Sequence, residues 1–61
     1  MSADEAARLA LEQVTGVITD IQIDINDGRP YWEIDVRTPS GEIYDVELDA
    51  LTGRIIEIDP T

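Results

Sequence analysis

The fold of this chain is decided by residues 17–36, which read VITDIQIDINDGRPYWEIDV. Apolar and polar residues alternate on both sides of Asn26-Asp27-Gly28, and a period of two is typical of strands with one buried face. Asn, Asp and Gly tolerate the positive φ angles that a tight hairpin turn requires. This stretch therefore predicts two antiparallel strands joined by a short turn, with Thr19, Ile21, Ile23 and Ile25 on the inward face of the first strand.

Two further strands follow this hairpin. Pro39-Ser40-Gly41 predicts a turn before a third strand, and Asp49-Ala50-Leu51-Thr52-Gly53 predicts another turn before a short fourth strand. Consecutive strands joined by tight turns pair antiparallel, so we expect a four-stranded meander. In the fourth strand the alternation predicts Ile56 and Ile58 inward, with Ile55 and Glu57 outward.

A helix precedes the strands. Ser2-Ala3-Asp4-Glu5 is a capping-box pattern, in which the side chains of Ser2 and Glu5 accept hydrogen bonds from each other's backbone N–H. Apolar residues recur at helical spacing up to Val14, and Gly16 is a candidate for the left-handed residue that often follows a helix. We expect a helix over residues 3–14, whose alanine-rich stripe can approach the sheet closely.

These elements predict a single α+β domain over residues 1–61. One N-terminal helix packs on a four-stranded antiparallel β-meander in the order α-β-β-β-β. A chain of 61 residues has too few apolar side chains for two cores. The expected core consists of Ala7, Leu11, Val14, Ile21, Ile23, Trp32, Ile34, Val36, Tyr44, Val46, Leu48 and Ile56.

The outer face of the predicted sheet is strongly acidic. Fourteen Asp and Glu residues against four Arg, with no Lys, give a net charge of −10. Such a charge argues against nucleic acid or an anionic membrane surface as a partner. The alternation places nine of the acids outward or at strand ends: Asp20, Asp24, Glu33, Asp35, Asp45, Glu47, Asp49, Glu57 and Asp59.

A partner-binding surface is predicted on the outer face of the second and third strands. Its carboxylates could attract a protein with a basic surface, and such binding would be sensitive to salt. The alternative is that the charges maintain solubility and discourage edge-to-edge pairing of the sheet. The candidate partner-binding residues are Tyr31, Glu33, Asp35, Arg37, Asp45 and Glu47.

Composition excludes most catalytic and metal chemistry. Cysteine and histidine are absent, which removes thiolate nucleophiles, Ser-His-Asp triads and zinc or haem ligation. Paired carboxylates on an open sheet face lack the desolvated pocket that general acid–base catalysis needs. We therefore expect no enzyme, no catalytic residues and no cofactor.

Calcium is the lesser alternative, because its ligands are oxygen atoms. Asp24-Ile25-Asn26-Asp27-Gly28 resembles the start of an EF-hand loop, but its glycine comes one position early and Asp35 stands where the loop requires Glu. Carboxylates at alternate positions of one strand lie almost 7 Å apart, too far to share an ion without a cross-strand partner. The sequence thus predicts no metal ligands.

The sequence shows no signal for membrane insertion. No apolar run approaches the roughly 18 residues of a transmembrane helix. The first residues are acidic and lack the basic and apolar regions of a signal peptide.

The chain resembles the PepSY-domain family over nearly its whole length. The resemblance lies in the alanine-rich helix with its Val14-Thr15-Gly16 boundary, the second-strand motif Trp32-Glu33-Ile34-Asp35-Val36, and the closing Asp49-Ala50-Leu51-Thr52-Gly53. The family more often has tyrosine where Trp32 stands. Relatives occur in the propeptides of secreted peptidases and in exported or membrane-attached bacterial proteins.

This resemblance implies a non-catalytic binding or regulatory module that restrains a peptidase or engages an envelope protein. It also implies an extracytoplasmic location, and it brings no catalytic residues. The alternative is a structural or spacer domain, including a designed or excerpted one, with no activity of its own. The sequence leaves the oligomeric state open.

Overall fold

The computed structural model describes all 61 residues and contains one helix followed by four strands. Helix α1 spans Ala3–Gln13, and the strands are β1 (Val17–Asn26), β2 (Arg29–Arg37), β3 (Ile43–Asp49) and β4 (Ile55–Pro60). Neighbouring strands pair antiparallel in the order β1-β2-β3-β4. The predicted α+β fold, with the order α-β-β-β-β, is confirmed.

The predicted capping box holds the N-terminus of α1. The backbone N–H of Glu5 donates to Ser2 Oγ at 3.2 Å, and the backbone N of Ser2 lies 3.5 Å from Glu5 Oε1. The helix ends at Gln13, one residue earlier than predicted, and Val14 follows in an extended conformation. The structure contains no helix that is long and apolar enough to span a membrane.

Gly16 has a different role from the predicted one. It is not among the glycines with positive φ, so it does not end the helix in a left-handed conformation. A Cβ atom at this position would collide with the backbone carbonyl of Arg37. Glycine therefore allows the connection between α1 and β1 to approach the end of β2 closely.

The β1–β2 turn fits the predicted hairpin. Asp27 and Gly28 have φ angles of 52° and 76°, and they lie between the paired residues Asn26 and Arg29. A two-residue turn with positive φ at both positions matches the right-handed twist of its strands. This turn fixes the register of the first strand pair.

The core lies between α1 and the central strands β2 and β3. Four predicted core residues are fully buried on these strands, namely Ile34, Val36, Val46 and Leu48. Trp32 and Val14, also predicted, are partly buried against them, and Tyr44 is half-buried.

The prediction that Ala7 and Leu11 belong to the core is wrong. Ala6 and Ala10 are fully buried, whereas Ala7 is only half-buried and Leu11 is 37% exposed. Alanines in succession along the helix offer more than one apolar stripe. Leu9 and Val14 pack against the core beside Ala6 and Ala10, so the helix is rotated away from the orientation that would bury Leu11.

A β-bulge near the start of β1 interrupts the predicted alternation of inward and outward residues. The register shifts between Ile18 and Asp20, so Ile18 lies opposite Val36 and packs against the core. Thr19, predicted inward, instead donates from Oγ1 to the carbonyl of Asp35 at 3.4 Å. A bulge adds one residue to a strand and reverses the alternation on one side of it, which a period of two cannot reveal.

A second bulge, in β4, reverses the predicted faces of two adjacent isoleucines. Ile55 lies opposite Leu48 and packs against the core, while the register shift leaves Ile56 without a partner. Ile56 is 56% exposed, so its predicted inward position is wrong. Ile58 returns to the inner face opposite Val46, as predicted.

The helix leaves part of the inner face of β1 uncovered. Ile21 and Ile23 lie opposite Ile34 and Trp32, on the predicted side of the sheet, but they are 37% and 57% exposed. β1 is an edge strand that pairs with β2 alone, so its inner face has less cover than those of β2 and β3. The prediction that both residues are buried is wrong.

The substitution Ile34→Ala tests the assignment of the two faces. We expect it to lower the free energy of unfolding by about 2–5 kcal/mol, because a fully buried side chain is replaced by a cavity. The matched control Ile56→Ala removes the same atoms from an exposed position and should cost less than about 1 kcal/mol. Urea denaturation measures both values, and equal losses would contradict the observed register of β4.

Candidate functional site

The register of the sheet aligns outer-face polar residues in two rows across all four strands, and seven of the eight are acids. The aspartate row consists of Asp20, Asp35, Asp45 and Asp59, and the glutamate row consists of Gln22, Glu33, Glu47 and Glu57. Each member lies opposite the next member of its row on the neighbouring strand. Like charges directly opposite each other are unfavourable, so the two rows form a surface with concentrated negative charge.

The structure places the six predicted partner-binding residues on one face. Glu33, Asp35, Asp45 and Glu47 lie together at the centre of the two rows. Tyr31 and Arg37 lie at the two ends of β2. The hydroxyl of Tyr31 is 3.5 Å from Asp24 Oδ2, and burial followed by the negative charge of Asp24 raises the pKa of this tyrosine.

No arginine neutralises the two rows. The single salt bridge of the protein joins Arg8 and Glu12 on the exposed side of α1, at 2.8 Å. Arg29, Arg37 and Arg54 make no ion pair. The negative charge of the outer face is therefore left for solvent counterions or for a binding partner to balance.

Asp45 is the most perturbed acid of the aspartate row. Burial raises its pKa to about 6, and the neighbouring carboxylates of Asp35, Glu33 and Glu47 contribute in the same direction. The Oδ1 atom of Asp45 is buried and has no hydrogen-bond partner. A proton on this carboxyl group relieves both the desolvation and the repulsion.

The glutamate row shows the same tendency. Burial, followed by the charge of Glu57, raises the pKa of Glu47. A hydrogen bond with Asp59, together with its charge, raises the pKa of Glu57. The centre of the outer face therefore holds protons more strongly than separate carboxyl groups would.

The side chains of three acids lie close together at this centre. Carboxylate oxygens of Glu33, Asp45 and Glu47 all lie within 4.8 Å of one another. Glu33 supplies the cross-strand ligand atom that the spacing along a single strand lacks, and its position depends on the register between β2 and β3. Oxygen atoms in this arrangement suit hard cations such as calcium.

The residues of the closing motif stabilise their own turn. Asp49 Oδ1 accepts from the backbone N–H groups of Leu51 at 2.7 Å and Thr52 at 3.1 Å, and these hydrogen bonds lower the pKa of Asp49. Thr52 Oγ1 accepts from the backbone N–H of Arg54 at 3.2 Å. Gly53 has a φ angle of 78°. The residue types of this motif therefore serve turn geometry.

Sequence analysis missed a groove at one end of the outer face. It has a volume of about 420 Å³ and lies between the β1–β2 turn and the turn before β4. Its lining includes Arg29, Tyr31, Glu47, Asp49, Arg54 and Ile56. These residues come from three strands and a turn, so no local sequence motif predicts the groove.

Two comparisons with known proteins found a similarity. A family model described as "PepSY: Peptidase propeptide and YPEB domain" matches residues 1–59. The chain is also similar to the "Uncharacterized protein YkoJ" of Bacillus subtilis (strain 168), with 36% identity over 61 residues that cover 97% of this chain. The chain spans 36% of the length of that relative. No solved structure matches the chain.

The raised pKa of Asp45 predicts that its contribution to stability falls as the pH rises. The folded state binds a proton with a pKa of about 6, above the ordinary value of 3.8. The stabilisation from this proton is therefore complete below about pH 4 and is lost as the pH rises through about 6. We expect Asp45→Asn to raise the melting temperature at about pH 7 and to reduce the change between about pH 7 and 5.

The matched control for this measurement is Asp27→Asn. It removes the same charge from an exposed turn, where asparagine tolerates the positive φ angle of 52°. Thermal unfolding followed by circular dichroism should show the wild-type pH dependence in this variant. A wild-type pH dependence in Asp45→Asn would contradict the role assigned to Asp45.

Proposed function

This chain belongs to the PepSY family, and we propose that it is a non-catalytic module that binds a basic segment of a protein partner through its aspartate and glutamate rows. The observation that carries this proposal is the alignment of uncompensated carboxylates in register across the sheet. Repulsion between carboxylates that face each other on neighbouring strands lowers the stability of the unbound protein. Positively charged side chains of a partner would relieve this repulsion, so binding would also stabilise the folded protein.

The family description, which names peptidase propeptides, supports a partner of a particular kind. We propose that the module restrains a peptidase, or engages another envelope protein, in an extracytoplasmic compartment. The open shape of the outer face and the absence of cysteine and histidine support binding rather than catalysis. The alternative, a spacer domain, requires no partner for the acidic face.

Electrostatic physics determines how such binding behaves. Adjacent strands are about 4.8 Å apart, so each row presents carboxylates at short intervals to a chain lying across the strands. Long-range attraction between opposite charges increases the association rate, and salt screens it over about 10 Å at about 0.1 M. Affinity should therefore decrease steeply with ionic strength.

A lysine-rich peptide with an amidated C-terminus tests the proposal. We expect saturable shifts of backbone amide signals in β2 and β3, and an affinity that falls at least about tenfold between about 0.02 M and 0.3 M salt. The variant Glu33→Gln/Glu47→Gln should bind more weakly because it removes two charges from the glutamate row. NMR titration measures each affinity.

The matched control is Asp4→Asn/Glu12→Gln, which removes the same net charge from α1, on the opposite side of the sheet. It should bind at least about threefold more tightly than Glu33→Gln/Glu47→Gln, since long-range attraction is equal and only local contact differs. Equal affinities would contradict binding by the glutamate row. Absence of binding at both salt concentrations would favour the spacer domain.

Calcium association ranks below protein binding, because exposed acidic groups often cluster without an ion. The convergence of Glu33, Asp45 and Glu47 is the observation in its favour. With a calcium titration of up to about 10 mM, we expect only small, non-saturating amide shifts over the whole outer face. Saturable shifts confined to these residues, and lost in Glu33→Gln, would reverse this ranking.

A further inference from the structure

Two of the four arginines line the groove at the end of the outer face. Arg29 begins β2 and Arg54 precedes β4, and both line the groove. Neither makes an ion pair, although the chain contains fourteen acids. Exposed guanidinium groups without partners can bind a carboxylate through pairs of parallel hydrogen bonds.

The acids beside these arginines make no salt bridge with them. Asp49 lines the same groove, and its Oδ1 atom accepts hydrogen bonds from the turn backbone at Leu51 and Thr52. These hydrogen bonds, followed by the charge of Arg29, lower the pKa of Asp49. Glu47 also lines the groove and belongs to the glutamate row, where it lies opposite Glu33 and Glu57 on the neighbouring strands. The lining of the groove therefore combines two arginines with Asp49 and with Glu47, a member of the glutamate row.

The remaining walls of the groove are apolar or aromatic. Tyr31 and Pro30 contribute from β2, and Ile55 and Ile56 contribute from β4. The bulge in β4 turns Ile56 outward, where it is 56% exposed. This provides a contact surface for the aliphatic part of a ligand beside its charged groups.

We propose that the groove binds a peptide segment that carries both a carboxylate and a basic group, no farther apart than the length of one side chain. The carboxylate binds Arg29 and Arg54, and the basic group extends along Glu47 into the glutamate row. The carboxylate is either the free C-terminus of a peptide ending in lysine or a Glu side chain next to lysine. The inference rests on the proposed function, because it takes the glutamate row as the part that binds positively charged groups.

The net charge of the protein explains why a simple anion is a poor ligand. A chain with a charge of −10 repels anions at long range. Inorganic phosphate would bring two negative charges close to Glu47 and Asp49. A ligand that carries both signs meets attraction at each end of the groove.

Three short peptides with acetylated N-termini provide the test. The first is Ala-Ala-Lys with a free C-terminal carboxylate, the second is the same peptide amidated, and the third is amidated Ala-Glu-Lys. We expect the first peptide to bind at least about fivefold more tightly than the second, with amide shifts at the groove residues. Net charge alone predicts the reverse order, because the amidated peptide is more positive and the protein is negative.

The third peptide distinguishes the two sources of the carboxylate. Tighter binding than that of the first peptide assigns the groove to a Glu side chain next to lysine, equal binding shows that either carboxylate is accepted, and weaker binding assigns the groove to a free C-terminus. Equal binding of the first two peptides, combined with no gain for the third, would overturn the proposal. Inorganic phosphate that binds as tightly as the first peptide would also overturn it.

The variant Arg29→Gln/Arg54→Gln should reduce affinity for the first peptide at least about tenfold and abolish its preference over the amidated form. The matched control Arg37→Gln removes an unpaired arginine from the other end of β2 and should retain at least half of the affinity. Backbone amide spectra verify that both variants fold. Unchanged binding in the double variant would refute the site.

This experiment separates the groove from the function on which it rests. The amidated lysine-rich peptide requires the glutamate row but not the arginines, so it should bind Arg29→Gln/Arg54→Gln at least as tightly as it binds the wild type. If it does so while the free-carboxylate preference is absent from the wild type, only the groove assignment fails. If it binds neither protein, the proposed function fails.

Discussion

The pairing of β2 with β3 in a single register is the constraint on which the rest of the structure depends. Ile34 lies opposite Val46 on the buried face, and the same register sets Glu33 opposite Glu47 on the outer face. Burying a large aliphatic side chain contributes about 1.5–3 kcal/mol, whereas an opposed pair of like charges costs less than about 1 kcal/mol. Burial therefore decides the register, and the acidic rows are its consequence.

This difference in magnitude also explains how a small domain tolerates so many aligned acids. A slip of one residue would relieve the opposed charges, but it would turn carboxylates toward α1 and isoleucines toward water. The cost remains visible in the acids themselves, because burial and the carboxylate of Asp35 raise the pKa of Asp45. The outer face thus stores repulsion that protons, salt or the cations of a partner can reduce.

The two bulges give the ends of the sheet a different character from its centre. In β4 the bulge places Ile55 against the core and leaves Ile56 on the outer face beside Arg29 and Arg54. Without this shift, the alternation would place Ile55 rather than Ile56 on the outer face. The outer face has an acidic centre, and the arginines at its end give that end mixed charge, so a peptide carrying both signs of charge fits the combination better than either sign alone.

The sequence by itself determined the capping box, the positive-φ hairpin at Asp27-Gly28, the four-stranded meander and the acidic character of one face. These features depend on residues close together in the chain, and local patterns encode them. Only the tertiary structure decided that Ala6 rather than Ala7 is buried, that Ile55 and Ile56 exchange faces, and that Arg29 joins Arg54 in one groove. Helix rotation, bulge position and the meeting of distant strand ends result from packing between elements, and packing has no signature in a short stretch of sequence.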